Sequence, residues 1–531
     1  MPCRSLRFTR LSTLAATGLM SLAAPSHGWA QEGGSPSPSQ TAERARPFTQ
    51  WSFEELRAEF AKDPNRWSRE ACGFGVPIMA ALEIADPQEM QIRVTSRVAQ
   101  AICAAQEGRF EDAEARIREL RELKPDTVYV PLSLFIAGRG NRAQFALDVF
   151  GWIEGEIFRS LEPQTFGPAY LAISKAGRKD EFDDLALKWL DAGAFEKMDR
   201  FVAASLSRNI LAVAARKGRG DAAERALEKV TDPTLFIEFL TQRQYEPFWP
   251  TIEQRAGQAL EKVGAEHVEV SLAAMRAAPD DRDDFSEAVR ALHYNGQFEE
   301  AIALAATWDP EGEAERPVRQ GDAWALNLQA LAFDALGETQ KADAIFDRLA
   351  GLDPVENPWA VSFIINRASR LVGYGRFEAG LEAATLARAA GGSPFAEMII
   401  AKDRACALAA LGRMQEATKE LDFLRANRTS GSIGLAATGL VCSGLRKEAA
   451  QILIEGLRDP VTRNPTANDL LSAESGLFYT QSMLPNLTRL MQEFPELKSE
   501  FDKHARLLPM GMIPRAATLR ARLDLPKWRD R

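Results

Sequence analysis

With 531 residues, 46% of them hydrophobic and 26% charged, the chain has the composition of a folded protein, which excludes both a disordered polymer and a polytopic membrane protein. A single compact core does not grow to that length, so the residues divide among several domains or along a repeat array. The formal charge of −9, from 65 Lys and Arg against 74 Asp and Glu, argues against a nucleic-acid partner, because binding one requires a concentrated basic surface.

At the N-terminus, Arg4, Arg7 and Arg10 precede an apolar run from Leu11 to Ala24 and then Gly28-Trp29-Ala30. That order of charge, apolar core and small residues predicts a signal peptide over 1–30, cleaved after Ala30. The run is too short to span a bilayer, so no membrane span is expected. An internal core helix that happens to begin the chain is the alternative. Residues 31–47, with Gly33-Gly34-Ser35-Pro36-Ser37-Pro38-Ser39, read as a flexible linker. Loss of three of the 65 bases leaves 62 against 74 acidic residues and a charge of −12. The expected location is the bacterial periplasm.

Beyond the linker a block recurs in which a helical stretch ends at Gly, an aromatic or apolar residue often follows two positions later, and Ala follows five later. The strong copies begin at Gly108, Gly296, Gly337, Gly375 and Gly412, and weaker ones at Gly177, Gly218 and Gly444. From Gly296 onward the spacings are 41, 38, 37 and 32 residues, the range of paired-helix repeats. Seven positions before the glycine stands Ala101, Ala330, Ala368, Ala405 or Ala437. Nine after it comes Ile117, Leu227, Phe346, Leu421 or Leu453, and twelve after it Leu120, Val230, Trp308, Leu349 or Leu424. These offsets put each set on one stripe of a helix. Pro125, Pro233, Pro310, Pro354 and Pro460 are expected to stop the second helices, and the glycines to supply the turn between the two helices of a pair.

This pattern resembles the tetratricopeptide repeat family, over about 92–125 and 285–460. The resemblance implies an all-α fold, a right-handed α-α superhelix of helix-turn-helix repeats. The chain departs from the family pattern at Gly218, which Gly220 follows in place of an aromatic, at Gly177, where Phe182 replaces Ala, and over 234–284. A different helical solenoid is the structural rival, because repeat arrays share the same stacking physics. The expected organisation is an N-terminal helical repeat half over 48–235, an irregular helical joint over 236–284, C-terminal repeats over 285–460 and a helical cap over 461–531. In the joint, Phe236, Phe239, Tyr245, Phe248 and Trp249 cluster near Pro247 and Pro250. Buried packing or an exposed aromatic platform are the two readings.

Residues able to carry chemistry are few. His267, His293 and His504, the histidines beyond residue 30, have no metal-ligand spacing to one another or to a cysteine. No phosphate loop or nucleophile elbow occurs. Glu474-Ser475 followed by Leu490-Met491-Gln492 and Pro495 follows the spacing found in soluble lytic transglycosylases, but Asn486-Leu487-Thr488-Arg489 stands where that family has glycines, and only 39 residues follow Gln492. A solvated residue near a helix start is the preferred reading of Glu474. Cys72 and Cys103, in neighbouring helical segments, are the expected disulfide, with Cys406 and Cys442 the second choice and free buried thiols the alternative.

No cofactor, metal or enzymatic activity is expected. The tetratricopeptide resemblance implies that first helices line a concave groove, and the glycine offsets carry Arg290, His293, Asn327, Asp334, Asn366, Lys402 and Asp403 onto it. This set departs from the family's carboxylate clamp, so an extended or helical segment of a protein partner is the expected ligand. The functional expectation is a periplasmic scaffold or adaptor in envelope assembly or secretion. The alternative is a peptidoglycan-active or glycan-binding protein using the C-terminal segment.

Overall fold

The computed structural model describes residues 47–63, 66–124, 129–308 and 318–528; the expected signal peptide and all of the expected linker except Pro47 lie outside them. Among the described residues every regular element is a helix, and the one β contact is an isolated bridge between Gln242 and Ala505. No helix among them is long and apolar enough to cross a membrane. The chain forms two compact units, Met1–Val213 and Ala214–Arg531.

In the first unit, α1 (Phe53–Lys62) starts on a capping box in which Ser52 and Glu55 exchange side-chain and backbone hydrogen bonds. It is followed by α2 (Val76–Ala85) and then by helix pairs: α3 and α4 (Met90–Gln106, Phe110–Leu123), α5 and α6 (Val130–Arg139, Ala143–Gly151), and α7 and α8 (Pro163–Lys175, Lys179–Asp191). The α5–α6 pair has no block glycine; Asn141 takes the left-handed turn conformation, one of the few non-glycine residues that tolerates it. Phe182, which breaks the Ala pattern, is fully buried and lies within 5.1 Å of the Phe150 ring, with Phe166 and Trp189 also around Phe150. An aromatic core here fills the space that a close helix approach removes in the other pairs.

Helix α9 (Arg200–Lys217) carries the boundary between the units, at 213–214. The second unit continues with α10 (Gly220–Leu227), α11 (Pro233–Thr241), α12 (Trp249–Ala256) and α13 (Glu261–Ala277). Pairs follow: α14 and α15 (Arg282–Tyr294, Phe298–Ala306), α16 and α17 (Gln320–Ala335, Thr339–Ala350), α18 and α19 (Val361–Gly373, Phe377–Ala390), α20 and α21 (Pro394–Ala410, Met414–Asn427), and α22 and α23 (Ile433–Cys442, Arg446–Arg458).

All eight block glycines have φ between 66° and 81°. The residue after each donates its N–H to a carbonyl five positions back, as Glu338 does to Phe333 at 2.8 Å and Arg413 to Leu408 at 2.8 Å. This closure satisfies carbonyls at the end of the first helix and turns the chain straight into the second. The apolar stripes read from the offsets are core: the five alanines before the glycines, and the ten apolar residues nine and twelve positions after them, are at most 3% exposed. Each large side chain among them contributes roughly 1.5–3 kcal/mol by leaving water. Pro354 and Pro460 follow second helices, whereas Pro233 opens α11. Pro125 and Pro310 lie outside the described residues.

Within the joint, Phe236, Phe239 and Tyr245 are fully buried, and Trp249 donates from Nε1 to the Phe239 carbonyl at 3.0 Å. The cluster is therefore packed, not a platform. Its partner comes from far along the chain: Arg506 donates from N to the Thr241 carbonyl at 2.8 Å and from Nε to that of Leu240 at 2.7 Å, and its guanidinium lies 3.5 Å from the Trp249 ring centre. The C-terminal region adds α24 (Arg463–Asp469), α25 (Leu490–Glu493) and α26 (Pro495–Asp502), with Leu490, Leu497 and Phe501 completing the apolar core of α22 and α23.

Candidate functional site

Successive first helices of the second unit pack directly on one another, α14 on α16, α18 on α20 and α20 on α22. That contact decides the fate of the residues expected to face a groove. His293, Asn327, Asp334 and Asp403 are buried, at 1–6% exposure. The Lys402 side chain is largely buried against the adjacent Asp403, while Asn366 and Arg290 are half-buried. Several of these side chains are engaged by partners within the chain, on a neighbouring first helix or on their own. Asn366 donates to Asn327 Oδ1 at 3.0 Å, Ser369 donates its hydroxyl to Asp403, and Arg290 pairs with Glu287 on its own helix. Buried polar groups need such partners, because each one left unpaired costs about 1–3 kcal/mol.

The strongest of these links centres on a residue the offsets did not select. Arg370 is buried on α18, and its Nε and Nη2 donate to the two oxygens of Asp334 at 2.6 and 2.7 Å, the bidentate arrangement suited to guanidinium and carboxylate. Its Nη1 reaches Asp343 on α17, which Arg376 also holds. Burial alone would raise the Asp343 pKa, but the Arg376 and Arg370 contacts outweigh it and hold the carboxyl below its ordinary value. Likewise burial would lower the Arg370 pKa, and the Asp334 contact turns the shift upward. The only local signal was an arginine five positions before Gly375, and arginine at a helix end is ordinarily solvated.

The chain's own C-terminal segments cover the turn-side ends of the same helices. Met483 donates from N to the Gly373 carbonyl at 2.8 Å, Ala521 to that of Ala335 at 2.7 Å, and the Phe478 ring packs edge-on to Tyr294 at 4.8 Å. Trp528 meets Phe377 at 6.0 Å and borders a cavity of about 490 Å³ with Cys442, Met483 and Arg446. Under this cover neither ring nitrogen of His293 makes a full hydrogen bond. Burial and the nearby Arg520 cation push its pKa down to about 3, against a smaller opposing contact from the Leu477 backbone. It stays a neutral core residue.

Among the described residues, partly exposed aromatic rings stand at the opposite ends of three first helices. Trp324 at the start of α16 is 37% exposed and Phe395 at the start of α20 is 53% exposed. Trp359, just before α18, is half-buried. Trp324 and Trp359 rest edge-on against the buried Phe363 ring at 4.9 and 6.0 Å, which fixes their orientation.

Of the residues with transglycosylase-like spacing, Leu490 and Met491 are core and Gln492 is exposed, while Glu474 is exposed in a short 3-10 turn. Packing accounts for the Leu-Met pair. Cys72 is bonded to Cys103 and Cys406 to Cys442, with Cα separations of 4.8 and 5.0 Å. The second bridge joins consecutive first helices, α20 and α22. No family model and no curated protein matches this chain.

Proposed function

We propose that this chain is an exported, periplasmic scaffold of the tetratricopeptide type, its helix pairs stacked in a right-handed superhelix, and that it holds a protein partner in envelope assembly or secretion. The observation that carries the reading is the row of Trp324, Trp359 and Phe395 at the starts of three successive first helices. Rigid, partly exposed aromatic rings are the side chains that anchor protein interfaces at low entropic cost. Arg290, His293, Asn327, Asp334, Asn366, Lys402 and Asp403 then act as the polar spine that keeps those rings in register. The net charge, −12 once residues 1–30 are removed, favours a partner segment with apolar side chains on a basic background. Disulfides within both units suit an oxidising compartment.

The test is a photoreactive amino acid placed singly at Trp324, Phe395 and, as a control on a second helix, Lys419, followed by irradiation of intact cells. The same discrete protein adduct from the first two positions, absent from the third, supports the reading. Adducts to peptidoglycan, or muropeptide release from sacculi that Glu474→Gln abolishes, would replace it with the glycan-active alternative.

A further inference from the structure

We propose that the cavity beside Arg520 binds a molecule bearing a carboxylate, with the acid group seated on the Arg520 guanidinium. This does not rest on the scaffold reading and concerns another surface of the second unit. The cavity holds about 580 Å³ and is lined by Asp334, Glu474, Tyr479, Thr480, Arg520 and Arg522 among others, a size that suits a small organic acid or the last residues of a peptide.

Arg520 has no carboxylate partner among the described residues, and the Tyr479 ring, 5.6 Å from its guanidinium, is its one aromatic contact there. Among the described residues its Nη2 donates to the Leu477 carbonyl at 2.8 Å, its Nη1 makes only a long 3.4 Å contact with the Glu474 carbonyl, and its Nε, sealed from solvent, has none. A guanidinium carries five N–H donors, and a half-buried positive charge without a counter-ion is held at a cost. Burial pushes its pKa down to about 10, so the group is still charged at neutral pH. Asp334 offers no relief, because both its oxygens are taken by Arg370. Glu474 is an exposed residue of the same wall.

The wall chemistry selects the ligand class. A planar carboxylate matches the guanidinium fork and supplies one negative charge for this half-buried cation. A dianion would meet the carboxylates of Asp334 and Glu474 on the same wall, which disfavours phosphate. Arg522, exposed beside the cavity, and the Thr480 hydroxyl add donors for the second oxygen.

Calorimetric titration of the full chain tests the proposal, with butyrate, acetylated trialanine, the amide of that peptide and inorganic phosphate as probes. Saturable binding of at least one acid is expected, with the amide and phosphate at least about tenfold weaker, since each lacks the fit to the guanidinium. Binding of the peptide acid alone identifies a chain terminus as the natural ligand, and binding of butyrate a small acid. Arg520→Gln should abolish the signal. Because that change could also loosen the covering segment, the exposed Arg522→Gln, with an unchanged melting curve, should weaken binding several-fold. No saturable binding of either acid, equal binding of the amide or phosphate, or unchanged affinity in both variants would each overturn the proposal.

Discussion

The Arg370 guanidinium shows how single side chains hold the second unit together. Both oxygens of Asp334 depend on it, and the two side chains are each about 4% exposed. Arg370→Met removes the cation and keeps most of the volume, leaving Asp334 enclosed and unpaired. The expected cost is about 3–5 kcal/mol, read from denaturant unfolding, and the double change Arg370→Met with Asp334→Leu should recover much of it. His293 has a signature in pH. Its folded pKa lies well below the unfolded value of about 6.5, so the unfolded chain takes up the proton first and stability falls as pH drops from about 6.5 toward 3. His293→Leu should flatten that part of the stability profile while leaving the shape above pH 7 unchanged. Asp334 and His293, unlike Arg370, were selected from the sequence by their offset from a glycine, which placed them on first helices. What lies over those helices did not follow, because the covering residues, Leu477 to Met483 and Arg515 to Trp528, stand far away in the chain and carry no repeat pattern.

At the scale of elements, the helix pairs were legible because one local device recurs. Glycine after the first helix, the small residue seven before it and the apolar stripes after it are each set by the geometry of a tight turn between two packed helices. The reading faltered where another residue does the same work. Asn141 closes the α5–α6 turn without glycine, and Phe182 packs a wider pair with aromatic volume in place of a close approach. The cysteines add long-range constraint that the turns lack. Their sequence separations of 31 and 36 residues correspond to roughly 3–4 kcal/mol of loop-closure stabilisation for each bridge. Since each bridge lies within one unit, Cys406→Ala with Cys442→Ala should lower the unfolding midpoint of the second unit alone. A reductant should lower both, as followed by hydrogen exchange resolved along the chain.

On the scale of the whole molecule, the all-helical class was legible through the recurring glycine block and its resemblance to paired-helix repeats. The aromatic, proline-rich stretch after residue 235 looks like a hinge in isolation. Phe236, Phe239 and Tyr245 are instead buried, Phe248 and Trp249 half-buried, and Gln242 with Ala505 and Arg506 adds a pairing across more than 250 residues that no local pattern announces. The same C-terminal region covers the turn-side ends of the first helices, while Trp324 and Phe395 at their other ends are partly exposed. The central claim is that these rings anchor a protein. Once photocrosslinking has identified the adduct, its purified form should be titrated against the wild-type chain and against Trp324→Ala with Phe395→Ala. The account predicts at least about tenfold weaker binding by the double variant, as expected for loss of interface anchors, with an unchanged unfolding midpoint. Equal affinity for the two proteins would contradict it.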